Sequence, residues 1–153
     1  MITDYLFTFL FIISPLFLGF TVSLLFKIDK EWYDNIKKPK FVPPSYVFSI
    51  VWSLLYILFG TAMFLGLNDF DYKYWILPVL HFILNLSFTP LMFGQKNLYL
   101  ALIATILTSI TCIFVMIQFY LTEKMFSIVL LIPYLSWLIF ATYLSFTIYK
   151  MNL

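Results

Sequence analysis

Three stripes of the sequence carry the side chains with chemical potential. Phe48, Trp52 and Tyr56 recur every four residues, as do His81, Asn85 and Thr89. Tyr134, Trp137, Ala141 and Ser145 form a third set at helical spacing. On helices each set shares one face, and Ala141 leaves room beside Trp137. Flat aromatic surfaces interleaved with a few hydrogen-bonding groups suit a large, planar, apolar ligand. Offset stacking on an indole contributes on the order of 0.5–1.5 kcal/mol beyond area burial. The same stripes also fit ordinary helix–helix packing, with Asn85 as an interhelical hydrogen-bonding residue. His81 is the only histidine; its ordinary use is a hydrogen bond to a neighbouring helix, and ligation of haem iron is the bolder alternative. The single Cys112 excludes an internal disulfide framework and a multi-cysteine metal site, and it reads as a packing residue. No nucleotide-binding loop, metal cluster or hydrolase triad is present, so no metal is assigned.

The elements that must position these stripes follow from composition. Of 153 residues, 63% are hydrophobic and 10% charged, too few charges to cover the surface of a soluble domain. A bilayer removes the conflict, because a helix crossing its ~30 Å hydrocarbon layer needs about 20 mostly apolar residues. Five such runs divide the chain, from about Tyr5 to Phe26, Ser45 to Leu67, Trp75 to Phe93, Leu98 to Leu121, and Phe126 to Tyr149. Asn68-Asp69, Gly94-Gln95-Lys96-Asn97 and Glu123-Lys124 punctuate them. The first run has no basic n-region and no small-residue cleavage site, so it reads as a retained helix. Pro15 within it is tolerable where neighbouring helices satisfy the freed carbonyl. The expected fold is all-α, an integral membrane bundle of five transmembrane helices in a single domain, residues 1–153, with a long first cytoplasmic loop.

Lysine placement sets the orientation. Lys27, Lys30, Lys37, Lys38, Lys40, Lys96 and Lys150 fall on one side of an alternating five-helix bundle, and only Lys73 and Lys124 on the other. This bias places the N-terminus outside and the C-terminus in the cytoplasm. The net charge of +2, with no Arg, gives no reason to expect nucleic acid. Asp4, Asp29, Glu31, Asp34, Asp69, Asp71 and Glu123 lie at or outside the span ends, which argues against a proton-coupled pump.

Depth separates the deep groups from interfacial ones. At a rise of ~1.5 Å per residue, Trp52 lies about 12 Å, Asn85 roughly 14 Å and Trp137 roughly 20 Å in from the cytoplasmic end. Trp75, at a span end, has the usual interfacial position. Buried indole N–H groups seek partners, and an asparagine at that depth belongs in the interior or beside a cavity. Above them lies the Lys27 to Pro44 connection, more than twice the usual length and carrying Trp32, Tyr33 and Phe41. Pro39, Pro43 and Pro44 restrict its backbone, and Pro44 suits the first turn of the second helix. The segment is either a lid over a cavity or an interfacial strip with its aromatics among lipid headgroups.

Trp32-Tyr33, Lys38-Pro39 and Pro43-Pro44, followed by Phe48, Val51-Trp52, Leu55-Tyr56 and Gly60, resemble the signature of the tryptophan-rich sensory protein (TspO/MBR) family. This family is also called the translocator or peripheral-type benzodiazepine receptor family. Asn85 with Phe88-Thr89-Pro90-Leu91-Met92-Phe93-Gly94 is similar to its third-helix motif. Pro133 to Trp137, then Phe140-Ala141-Thr142 and Leu144, is similar to its fifth-helix motif. Phe88 stands where the family usually has Trp, and Ser145 where it usually has Asn. The sterol motif of animal members is degenerate here: six residues separate Tyr143 from Lys150, and Tyr149 abuts it.

The resemblance implies a bacterial inner-membrane protein that binds a tetrapyrrole, chiefly protoporphyrin IX, with no resident cofactor and a tendency to form homodimers. Its expected ligand-binding residues are Tyr33, Pro43, Pro44, Phe48, Trp52, Tyr56, Asn85, Phe88, Thr89, Phe93, Tyr134, Trp137, Ala141 and Ser145. Lys38 or Lys40 could meet the porphyrin carboxylates. The resemblance also implies light- and oxygen-dependent breakdown of the bound porphyrin, with Trp52 and Trp137 as the catalytic, oxidisable rings. A sensor without turnover and a transporter of porphyrins or other lipophilic molecules are the alternatives.

Overall fold

A computed structural model describes residues 2–67 and 71–153, with side-chain surroundings from residue 4 onward. Every regular element among the described residues is helical. Helix α1 spans Ile2–Leu25, α2 Lys30–Asn35, α3 Ser45–Leu67, α4 Ile76–Thr89, α5 Leu98–Leu121 and α6 Met125–Met151. A 3₁₀ turn, Tyr72–Trp75, leads into α4, and a π turn, Pro90–Gly94, extends it. Five helical stretches are long and apolar enough to cross a membrane: Asp4–Leu25, Ser45–Leu67, Tyr72–Gly94, Leu98–Leu121 and Met125–Met151. These agree with the five expected spans to within a few residues. The expected Asn68-Asp69 stop lies outside the described residues.

The helices pack in a ring, with α1 on α3, α3 on α6, α6 on α5 and α5 on α4, and a lighter contact from α4 back to α1. The connection between α1 and α3 is not a bare loop, because Asp29 caps the short helix α2 by accepting a hydrogen bond from the Trp32 backbone N–H (3.1 Å). Pro44 sits just before α3 rather than inside its first turn, and its carbonyl accepts from Val47 N–H.

Lipid supplies no hydrogen bonds, so polar groups in the spans must be satisfied within the protein. Thr8, Ser14, Thr21, Ser23, Ser53 and Thr61 each donate to a carbonyl three or four residues earlier in their own helix. The apolar outer faces, such as Phe17, Leu54, Ile83 and Ile139, remain exposed, as a lipid-facing surface requires.

Packing between α1 and α3 depends on small residues. A methyl group placed on Gly60 would overlap the Ile12 carbonyl oxygen, and one placed on Gly19 would overlap the Tyr56 ring. The first obstacle is backbone, which cannot swing aside. Gly60→Ala should therefore separate the two helices and destabilise the protein by about 1–3 kcal/mol, the usual range for overpacking. A thermal melt in detergent checks this, with Gly66→Ala as a comparison because only the Phe119 side chain must move there.

Candidate functional site

The three stripes are not equally buried along their length. On α3 the inward residues Leu55, Phe59, Ala62, Met63 and Leu67 are buried, yet Phe48 and Trp52 on the same face are only half-buried. On α6, Leu131, Tyr134 and Leu138 are buried, while Trp137, Ala141 and Ser145 are half-buried. On α4, His81 and Asn85 are buried and Phe88 and Thr89 half-buried, as is Phe93 in the π turn that follows. Large aromatic side chains on inward stripes thus keep accessible surface at the end where α1, α4 and α6 finish.

Ring contacts bring the predicted residues together. Phe48 meets Trp137 edge-on with centroids 5.7 Å apart, joining α3 to α6. Trp52 lies 5.4 Å from Tyr56 and meets Tyr134 edge-on at 6.3 Å. The Tyr56 hydroxyl donates to Asn85 Oδ1 (2.9 Å), so the deep carboxamide is held by α3 from its place on α4. Phe88 packs edge-on against Phe93 at 6.3 Å, and Phe93 against Tyr33 at 6.1 Å. Pro43 is half-buried and Pro44 exposed at the start of α3.

The Trp137 indole Nε1–H is buried and makes no hydrogen bond. A buried donor left unmade costs about 1–3 kcal/mol, and a ligand carbonyl or carboxylate would relieve it. Two apolar surface grooves are separate from this constellation. One, of about 360 Å³, runs between α5 and α6 past Leu102, Ile106, Ile139 and Phe146. The other, of about 440 Å³, passes Tyr74, Leu77, Phe114 and Leu121.

The α1–α3 connection is fastened to the bundle at two edges. Lys96, between the π turn and α5, pairs with Asp29 at 2.7 Å. At the other edge Asn152, just after α6, accepts from the Lys37 N–H and donates to the Lys37 carbonyl, both at 2.9 Å. Phe41 stacks on Tyr143 of α6 with centroids 5.7 Å apart. These contacts place the connection, the α4–α5 junction and the C-terminus at one end, which gathers seven lysines. Lys38 is turned onto Tyr33, its Nζ donating to the Tyr33 carbonyl and lying 4.1 Å from the ring centroid. Burial, and then the neighbouring Asp34, push the Tyr33 hydroxyl above its ordinary pKa of 10.0, so it stays a neutral donor.

The Asn152 clamp was not visible in the sequence, since it joins positions 115 residues apart. Asn152→Ala removes both bonds, each worth about 0.5–1.5 kcal/mol. A spin label at Lys40 should then report a more mobile connection. The Asp29–Lys96 pair adds a pH dependence at the other edge. Its hydrogen bond from Lys96 holds the Asp29 carboxyl below the ordinary 3.8. The fastening is therefore complete above that value and lost as pH falls through the lowered one. Because both groups are exposed, added salt should weaken it as well. The same label, read against pH and salt, checks both signs.

Residues 11–151 match the TspO/MBR family. The chain belongs to that family. It is similar to the tryptophan-rich protein TspO of Bacillus cereus, 38% identical over 138 residues that cover 88% of this chain and 90% of the relative. The tryptophan-rich sensory protein of Cereibacter sphaeroides is 32% identical, over 86% and 83% of the two chains. The human translocator protein is 30% identical, over 80% and 75%. The expected family is borne out, and this TspO/MBR protein has five helices long and apolar enough to cross a membrane.

Proposed function

We propose that this protein binds a tetrapyrrole of the protoporphyrin IX type between α3, α4 and α6, and that light and oxygen break the bound ring down there. The observation that carries the reading is the half-buried aromatic stripe of Phe48, Trp52, Phe88 and Trp137 beside a buried, unpartnered indole N–H. Aromatic faces supply stacking for a planar ring. The Trp137 N–H supplies a donor for a polar substituent, and Ala141 leaves room at the edge of the ring. The Tyr56–Asn85 pair fixes a polar wall opposite.

Excitation of a porphyrin in the presence of oxygen provides the reactivity, so no general acid or base is needed. The protein's part is to hold the ring against two readily oxidised indoles, Trp52 and Trp137, in a space closed by the α1–α3 connection. In this reading the lysine-rich end faces the cytoplasm of a bacterial inner membrane, following the positive-inside rule. A porphyrin titration in the dark, repeated under illumination while absorbance is followed, tests the proposal. Saturable binding with growth of a new absorbing product only in the light supports it; binding without any product would reduce the protein to a non-catalytic receptor.

The fastened connection favours one second reading. A segment held by Asn152 and Lys96 at its edges, and by Tyr33 on Phe93, would shift on occupancy and could report it to a signalling partner. The spin label at Lys40 distinguishes the two, because only a sensor requires that its spectrum change with ligand.

A further inference from the structure

Beneath Trp52 lies a buried pair that the proposed reaction does not use. Tyr134 of α6 and His81 of α4 are both fully buried, and the Tyr134 hydroxyl is 3.0 Å from His81 Nε2. The other ring nitrogen, Nδ1, is 3.0 Å from Thr111 Oγ1 of α5. The Thr111 hydroxyl has one proton, and it is directed at its own helix, towards the Leu107 carbonyl at 2.8 Å and the Thr108 carbonyl at 3.1 Å. With its proton so directed, Oγ1 accepts from the imidazole. This places the proton of the neutral ring on Nδ1, an assignment made from the hydrogen-bond network. Nε2 is then a bare lone pair, and the Tyr134 O–H donates to it.

A phenol directed at a base within hydrogen-bond reach can lose an electron and its proton together. The neighbouring tyrosine differs in this respect. Tyr56 is also packed on Trp52, but its hydroxyl donates to the Asn85 carboxamide, which is too weak a base to take a phenolic proton. Phe59 lies against both rings, 5.4 Å from His81 and 5.5 Å from Tyr134, and keeps the pair dry.

We propose that Tyr134 and His81 form a proton-coupled redox pair that returns an electron to Trp52 after the indole has been oxidised. The inference rests on the photo-oxidative reading above and deepens it. The oxidant is the light-excited tetrapyrrole or an oxygen species formed from it, which takes one electron from Trp52. Tyr134 then passes one electron to the Trp52 radical cation across their edge-on contact, while its hydroxyl proton moves to His81 Nε2. The products are closed-shell Trp52, a neutral Tyr134 phenoxyl radical and a His81 imidazolium. Charge and spin are conserved, and the oxidising equivalent ends in the tightly packed half of the bundle, away from the ligand.

The test needs no porphyrin. An ultraviolet flash ejects an electron from tryptophan in the purified, detergent-solubilised protein, and transient absorption follows the indolyl and phenoxyl radicals. In the wild type, phenoxyl should rise as indolyl decays, and the rise should slow in deuterated buffer. Tyr134→Phe, which removes only a hydroxyl, should diminish the phenoxyl rise, and His81→Gln and Trp52→Phe should do the same. Tyr56→Phe should leave it intact. An undiminished phenoxyl yield in Tyr134→Phe, its loss in Tyr56→Phe instead, or an absent isotope effect would overturn the pair. The porphyrin titration stands apart: transfer in a protein that binds no porphyrin would retain the pair and remove its substrate. Porphyrin breakdown without transfer would do the reverse.

Discussion

Replacing Trp52 or Trp137 with phenylalanine should suppress light-dependent porphyrin loss while most of the dark binding survives. Phenylalanine keeps a flat apolar surface at each position, so the stacking lost is a fraction of the roughly 0.5–1.5 kcal/mol such contacts supply. That corresponds to less than about tenfold in affinity. It lacks the electron-rich indole, so the oxidation step loses its donor. The two variants should also differ from each other. Trp137→Phe removes the buried, unpartnered N–H and should weaken ligands that carry an acceptor more than ligands without one. Trp52→Phe removes the ring packed against both Tyr56 and Tyr134 and should have the larger effect on the photochemistry. Rates of illuminated absorbance loss, measured at saturating porphyrin, separate chemistry from affinity; unchanged rates in both variants would remove the indoles from the mechanism.

The second large effect concerns space rather than chemistry. Ala141 is half-buried one turn beyond Trp137 on the same face of α6, where a large side chain would occupy the volume assigned to the ligand. Ala141→Phe should abolish measurable dark binding. Its effect on the melting temperature should be smaller than that of Gly60→Ala, because Gly60 meets backbone and Ala141 is only half-buried. The comparison carries information in both directions. If Ala141→Phe melts far below the wild type, position 141 is part of the solid core and the ring must sit elsewhere.

The spans were legible because hydrophobic length is a coarse and redundant signal, and each of the five appears with ends shifted by only a few residues. The stripes on α3, α4 and α6 were legible for the same reason, since four-residue spacing fixes a face. The pairing of those faces was not. That Asn85 is held by Tyr56 rather than left as a loose interhelical contact, and that His81 bridges Tyr134 and Thr111, depends on how helices are rotated against one another. Sequence spacing within one helix contains no such information. His81 does follow its ordinary expectation of bonding to neighbouring helices.

The ends of the elements were harder still. The third span proved to be three kinds of helix in series, with a π turn at Pro90–Gly94 that changes the register of Phe93 relative to Phe88. The short helix α2 was signalled only by Asp29, an N-capping residue type, inside a segment read as a loop. Its fastening by Asn152 and Lys96 is wholly non-local. The aromatics of that segment are divided between the two readings proposed for it. Tyr33 packs on Phe93, which is what a cover over the bundle requires, while Phe41 stacks on Tyr143 with both rings exposed on the outer surface.

The central claim is that the inward aromatic groups at the lysine-rich end enclose room for one planar ring. Quenching of tryptophan fluorescence by protoporphyrin, titrated in the dark, measures this most directly. The wild type should quench saturably at one porphyrin per chain, Trp52→Phe and Trp137→Phe should each lose part of the quenched signal, and Ala141→Phe should not quench at all. Saturable quenching that persists unchanged in Ala141→Phe would contradict the account, because the ring would then be binding outside the space between α3, α4 and α6.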